Sequence, residues 1–387
     1  MGMLKGLRRV VFILSFVLPG LVSCVEKEVD FSDTEQTVFM YMPWSGDLKS
    51  FFEVNIKDFE QAIAGGILEK ERILVFLSSS PSEASLFELK YDHGACTRNI
   101  LKTYVDPSLN TSDWITSILN DVKAFAPASR YAMIIGGHGM GWLPVTASRQ
   151  FVLENRQNDR GVPVTRYFGG LSSDYQTDIT TLARGIAGAG IVMDYILFDD
   201  CYMSTIEVAY ELRNVTKHLI ASPTEMMAYG FPYAEIGEYL LGDVDFYSLC
   251  EGFYDFYRDY IVPSGTIAVT DCSELDSLAV LMKKINQRFT FDSLKLGSIQ
   301  PMDGYSPVIF FDYGDYMEKL CSDETLLDEF KVRLARAVPY AFHTSSYFSM
   351  NRGMIKINSF SGITISDPSV NSKTSQKAGT AWYKATH

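Results

Sequence analysis

The chain has 387 residues, 34 Lys and Arg against 47 Asp and Glu, and a formal net charge of −13. So acidic a chain is a poor partner for nucleic acid and a better one for cationic peptides. Its six cysteines, at 24, 96, 201, 250, 272 and 321, are widely spaced without a C-x-x-C pair, which excludes a zinc site of ordinary spacing and a disulfide framework.

In chain order, Lys5, Arg8 and Arg9 precede the apolar run Val10 to Leu18, which is too short for a stable transmembrane helix. Pro19-Gly20 follow, and then Leu21-Val22-Ser23-Cys24 resembles the lipobox of bacterial lipoproteins. That resemblance implies a signal peptide over 1–23, lipid acylation of Cys24 and a polar tether over 24–36. An ordinary secretory signal is the alternative. Residue 25 is Val, not the Asp that marks inner-membrane retention, and Glu26, Glu28 and Asp30 follow. The expected location is the cell envelope, lipid-anchored in the outer membrane and facing the cell surface.

Thr37 to Met42 reads as a first strand, and Pro43, Ser45 and Gly46 form a loop before an amphipathic helix over Asp47 to Ile63. Arg72 to Leu77 reads as a parallel strand. Leu86 to Tyr91 and Asn99 to Tyr104 form a hairpin about His93-Gly94-Ala95-Cys96, where His93 is a turn residue and not a metal ligand. A helix over Asp113 to Phe125 leads into the apolar run from Tyr131, which ends in Gly136-Gly137-His138-Gly139-Met140-Gly141-Trp142. Residues Leu143 to Thr180 are polar and poor in periodicity, carry Arg149, Arg156, Arg160 and Arg166, and read as a long loop over the site. A helix over Asp178 to Gly188 precedes the run Tyr195-Ile196-Leu197-Phe198, which ends in Asp199-Asp200-Cys201.

That run has the composition of a buried parallel strand. Helical periodicity begins soon after it, at Ser204, Ile206, Val208, Ala209 and Leu212. Cys201 is therefore expected at the carboxyl edge of a sheet and at the amino end of a helix. Ligands bind at that edge, and the helix terminus favours a thiolate. If the His138 strand lies beside the Cys201 strand, a nucleophile meets its base. The glycines beside His138 let a substrate backbone approach and leave amides free for an oxyanion. A buried, inert cysteine is the competing reading.

Beyond Cys201, His218 to Ser222 and Gly265 to Asp271 read as strands, with an aromatic helix through Tyr247, Phe253, Tyr254, Phe256 and Tyr257 between them. His218, inside a strand, and His343 read as structural. Residues 37–290 are expected to form the main domain. Residues 291–387 are expected to form a smaller C-terminal α+β subdomain, with strands over Met354 to Asn358 and Gly362 to Ser366.

Taken together, His138-Gly139, Asp199-Asp200-Cys201-Tyr202-Met203, Glu207 to Leu212 and Gly230-Phe231-Pro232-Tyr233 resemble the clostripain family of cysteine peptidases, grouped with caspases, legumains and gingipains. The likeness runs from Thr37 to Asp271. It implies an α/β, caspase-like sandwich with a mainly parallel central sheet and helices on both faces, and endopeptidase activity on peptide or protein substrates. Cys201 would be the nucleophile and His138 the general base, with the backbone amides of Gly139 and Cys201 as oxyanion donors. Asp199 would sit in the S1 pocket and select Arg or Lys at P1. The family's second acidic S1 position is Tyr229 here, which implies a weaker basic preference. The 143–180 interval is where the family is cut during maturation. No Asp/Asn/Gly loop of the EF-hand type occurs, so no metal and no cofactor is expected. The alternative function is a surface lipoprotein that binds peptides on the same scaffold without cutting them.

Overall fold

A computed structural model describes residues 34–145 and 176–387. The leader, Cys24 and most of the 143–180 interval, including Arg149, Arg156, Arg160 and Arg166, lie outside the described residues.

Among the described residues, nine strands form one sheet in the order β10-β8-β7-β6-β5-β1-β2-β3-β4. Its centre is parallel: β7 (Thr216–Ala221), β6 (Met193–Asp199), β5 (Arg130–Gly136), β1 (Gln36–Met42) and β2 (Glu71–Ser80). These strands have both faces covered, which is why each reads as a near-continuous apolar run. At one end β3 (Glu83–Asp92) and β4 (Ala95–Val105) add an antiparallel hairpin. Its two-residue turn puts His93 at φ 48° and Gly94 at φ 86°, the left-handed pair that such a turn needs. His93 is fully exposed there. At the other end β8 (Thr266–Asp271) and β10 (Tyr340–His343) are also antiparallel.

Helices cover both faces. α1 (Lys49–Ala64) presents Phe52, Ile56, Phe59 and Ile63 as one buried stripe, with Phe52 behind Gly136. α2 (Ser112–Phe125), capped by the Thr111 hydroxyl accepting from the Trp114 N–H at 3.2 Å, packs with α3 (Ile179–Gly188) on the opposite face. α4 (Ile206–Leu212) follows β6, capped in the same way by Thr205. α5 (Tyr233–Ile236) and α6 (Phe246–Arg258) lie on the α1 side, and α7 (Leu275–Asn286) follows β8.

The C-terminal region comprises β9 (Phe311–Asp312), α8 (Tyr313–Leu320), α9 (Glu324–Ala337), β10, β11 (Ser346–Ser349), β12 (Gly353–Lys356), β13 (Thr364–Ile365) and α10 (Ala381–Thr386). It packs on the main sheet: β10 forms the sheet's last strand, and Phe311, Phe330 and Trp382 belong to the same hydrophobic cluster as Val38. The Ser204 hydroxyl donates to Gly362 O at 2.7 Å, and buried Lys377 pairs with buried Glu207 at 3.0 Å.

Candidate active site

Strands β5 and β6 pair directly, with Gly136 opposite Asp199. His138 and Cys201 each lie two residues beyond that pair, so the chain leaves the sheet edge twice, side by side. The loops touch. A Cβ on Gly139 would fall 2.1 Å from the Cys201 carbonyl oxygen, so no other residue fits without moving the backbone. The amides of Gly139 and Cys201 thus belong to two contacting loops.

Cys201 is fully buried. Its Sγ accepts from the Met226 N–H at 3.2 Å and lies 3.9 Å from the Met226 carbonyl. Met226 is in the loop after β7, which runs beside the Cys201 loop: Tyr202 N–H donates to Thr224 O, and Ser204 N–H to Ser222 O, both at 3.0 Å. The helix does not begin at Cys201 as expected. A turn intervenes, with Tyr202 at φ 61°, and α4 starts at Ile206. A helix terminus acts mainly across its first turn, so the N–H facing the sulfur is that of Met226.

The His138 ring, 1% exposed, puts Nε2 3.1 Å from both carboxylate oxygens of Asp47. Trp44 meets the ring edge-on at 4.7 Å between centroids and gives its Nε1–H to Asp47 at 2.9 Å. Burial pulls the Asp47 carboxyl upward, but the His138 hydrogen bond and charge together with the Trp44 bond outweigh it and hold the group below its ordinary value. The sequence pattern puts Asp47 at the start of α1. In the structure Leu48 is the cap residue, and Asp47 faces the site because β1, which its loop follows, pairs with β5.

The two carboxylates before Cys201 diverge, as alternation along a strand requires. Asp200 lines a cavity of about 100 Å³ with Trp44, Gly137, His138, Met140 and Phe198. Asp199 turns to the α1 side, where it is fully buried and accepts from the Phe231 N–H at 3.2 Å and the Tyr233 hydroxyl at 3.1 Å. It thereby pins the Gly230–Tyr233 turn. Tyr229 leads into this turn and stacks on Phe256 at 5.0 Å, and its hydroxyl donates to Asp58 at 2.5 Å. Burial and the Asp58 contact push the phenol up. Asn55 Nδ2 donates to the Tyr229 carbonyl at 2.7 Å. Position 229 therefore has a negative charge beside it, carried by α1. The clue in the sequence was two polar residues, Asn55 and Asp58, on a buried helix stripe.

The remaining cysteines contrast with Cys201 in place. Cys96, Cys250, Cys272 and Cys321 are free thiols away from the two loops, and burial pushes Cys250 and Cys272 up to about 12 and Cys96 to about 11. His218 sits in β7 with Nδ1 3.2 Å from Asp194 O, and His343 lies in β10. Among the described residues no group of three His, Cys, Asp or Glu could hold a metal ion, and no helix is long and apolar enough to cross a membrane.

A histidine and a cysteine at adjacent carboxyl ends of a central parallel sheet, with helices on both faces, define the caspase-like class of cysteine proteases. The chain belongs to the clostripain family: the model of that family, Peptidase_C11, matches residues 40–336. It is thus a cysteine protease, a hydrolase of peptide bonds. It is similar to the secreted C11 cysteine protease "iotapain" of Bacteroides thetaiotaomicron, at 58% identity and a TM-score of 0.86, covering 92% of this chain and 99% of that one. A clostripain from Bacteroides thetaiotaomicron ATCC 29148, solved with the peptide inhibitor BTN-VLTK-AOMK, is 64% identical with a TM-score of 0.56, covering 57% of this chain and 99% of that one. An inactive zymogen C11 protease from Parabacteroides distasonis is 25% identical with a TM-score of 0.77, covering 92% and 99%. No curated protein matches the chain.

Proposed function

We propose that the chain is a cell-envelope endopeptidase that cuts peptide bonds with Cys201 as nucleophile and His138 as general acid and base. The observation that carries this reading is the pairing of Gly136 with Asp199, which brings the two strand-end loops into contact. The Cys201 thiolate attacks the scissile carbonyl carbon, and the amides of Gly139 and Cys201 hold the oxyanion. His138 gives its proton to the departing amine, leaving a thioester on Cys201. His138 then takes a proton from water, whose oxygen displaces the thiolate and releases the carboxylate. One oxyanion donor is worth about 3 kcal/mol in known enzymes, so the close approach at Gly139 adds a large contribution to that of the two side chains.

Arg or Lys is the preferred P1 residue. The 64% identical clostripain was solved with a peptide whose last residue before the AOMK group is lysine. Asp199 and the Tyr229–Asp58 pair supply negative charge on the α1 side of Cys201. The enzyme matures by cleavage within 143–180. The buried sulfur fits a latent form, and the Parabacteroides relative is described as an inactive zymogen. The lipobox-like segment ending at Cys24 supports a lipid-anchored place on the outer membrane, and the description of iotapain as secreted supports export.

Labelling with a peptidyl acyloxymethyl ketone carrying P1 Lys tests the chemistry. An adduct mapped to Cys201 is expected in wild type. In Cys201→Ala and His138→Ala, kcat/KM should fall below about a thousandth of wild type. No adduct after activation would make the fold a peptide-binding scaffold. Cys24→Ala should stop palmitate incorporation and release the protein from membranes; unchanged membrane association would remove the lipid anchor.

A further inference from the structure

Glu225 is 2% exposed, yet three donors converge on its carboxylate. Oε1 accepts from the Tyr202 hydroxyl at 2.6 Å and the Ser349 hydroxyl at 2.9 Å, and Oε2 accepts from the Met350 N–H at 2.9 Å. Two residues tied to this hub, one by a hydrogen bond and one by the chain, bear on the sulfur. Tyr202 follows Cys201 directly, and Met226, which follows Glu225, is the residue whose N–H points at Cys201 Sγ. Tyr202 is in the left-handed region, unfavourable for a side chain with a Cβ, and persists only because its surroundings hold it. Its ring stacks on Phe310 at 5.3 Å, its N–H bonds Thr224 O, and its hydroxyl is taken by Glu225.

The anchor of the hub is remote in sequence. Ser349 and Met350 come from the C-terminal region, beyond residue 336, where the family match ends. A buried carboxylate is retained where charge-assisted bonds from fixed donors repay its desolvation. Here those bonds tie three segments together: the turn after Cys201, the loop that carries Met226, and the end of β11.

We infer that Glu225 is a positioning residue for proteolysis by Cys201. It braces the C-terminal region against both loops that hold the sulfur, and so fixes the Met226 N–H on the thiolate and the thiolate's line of attack. The inference rests on Cys201 being the nucleophile. An N–H donated to the sulfur favours the thiolate over the thiol, so loosening the brace weakens the nucleophile. The S1 residues Asp199 and Tyr229 are held by other partners, Phe231, Tyr233 and Asp58.

The test is Glu225→Gln in enzyme produced from the full chain. The variant keeps the shape of the side chain and one acceptor for Met350, but loses the charge on which the hydroxyls converge. Expected are a kcat lowered about 10- to 100-fold, the scale of small misplacements of reacting groups, and a KM within about twofold of wild type. The pH–rate profile of iodoacetamide alkylation, mapped to Cys201, should move to higher pH. A variant with wild-type kcat and an unmoved alkylation profile overturns the inference, as does a loss confined to KM. If Glu225→Gln does not fold, Tyr202→Phe decides, because it removes the hydroxyl that Glu225 accepts at 2.6 Å and keeps the ring: a loss in kcat sustains the inference and wild-type kinetics overturn it. A wild-type enzyme that takes up no acyloxymethyl ketone at Cys201 overturns the nucleophile assignment, and this inference with it. Failure of the inference alone shows only in the variants.

Discussion

The Nε2 atom of His138 is equidistant, at 3.1 Å, from the two carboxylate oxygens of Asp47. This contact sets a carboxylate, supplied by the loop after β1, against the ring. The histidine is thereby held from the side of the sheet away from Cys201, since β1 flanks β5 opposite to β6.

Asp47→Asn should therefore lower kcat/KM, since it keeps an acceptor for Trp44 but removes the charge that faces His138. The Asp47 side chain is 65% exposed, and solvent screening limits the loss to about tenfold. Wild-type kcat/KM would reduce Asp47 to a brace for Trp44.

Asp199→Asn should act on both selectivity and stability. Its carboxylate is buried on the Phe231 N–H and the Tyr233 hydroxyl, and disturbing these bonds costs about 1–3 kcal/mol of stability. The ratio of kcat/KM for P1 Lys over P1 Leu, in tetrapeptides varied only there, should fall. Asp58→Asn should lower the same ratio through Tyr229. A ratio unchanged in both variants would leave Asp199 as the pin of the Gly230–Tyr233 turn and nothing more.

Maturation makes a prediction about chain number. Intact-mass measurement should find two chains in wild type, with the cut between Leu143 and Thr180, and a single chain in Cys201→Ala. One full-length chain that is already active would end the processing idea. Two chains in both proteins would assign the cut to another protease.

Asp303 supplies a stability test. Burial lifts its carboxyl to about 7, against the pull of the N–H groups of Phe310, Tyr305 and Ile309. The folded group therefore holds a proton that the unfolded chain releases near 3.8. The stability it contributes is whole below about pH 4 and is lost as pH rises through about 7. At 1.36 kcal/mol per unit the swing is about 4 kcal/mol. Asp303→Asn lacks this dependence, so the stability of wild type relative to the variant should decline from pH 4 to pH 8 in denaturation series. A constant difference would show that the carboxyl is already ionised in the folded protein at pH 4.

The parallel centre of the sheet was legible because buried strands on both sides of a site read as apolar runs with polar endings. Tyr131 to Gly136 and Tyr195 to Asp199 have that form, and their sharing one sheet edge follows from topology. The hairpin at His93-Gly94 and the helices α2 and α3 were legible for equally local reasons. What stayed hidden depended on partners far along the chain. Asp47 reaches His138 only because β1 is inserted next to β5. Asp58 reaches Tyr229 across 171 positions and Glu225 reaches Met350 across 125; no local pattern encodes either. Cys201 was expected at a helix terminus because the periodicity from Ser204 onward does not show where the first helical hydrogen bond closes, and Tyr202 with its left-handed backbone postpones it to Ile206.

The position of β10 bears on how the protein can be made. The family match stops at residue 336, an inviting place to end a recombinant chain, but β10 spans Tyr340–His343. A chain ended at 336 would strip the outer partner from β8 and present Ile267, Ala268 and Val269 as a bare apolar border with free N–H and C=O groups. Such a border is a template for strand addition by another copy. The shortened protein would self-associate through β8, and its aggregates would grow by the same backbone pairing that β10 satisfies within one molecule.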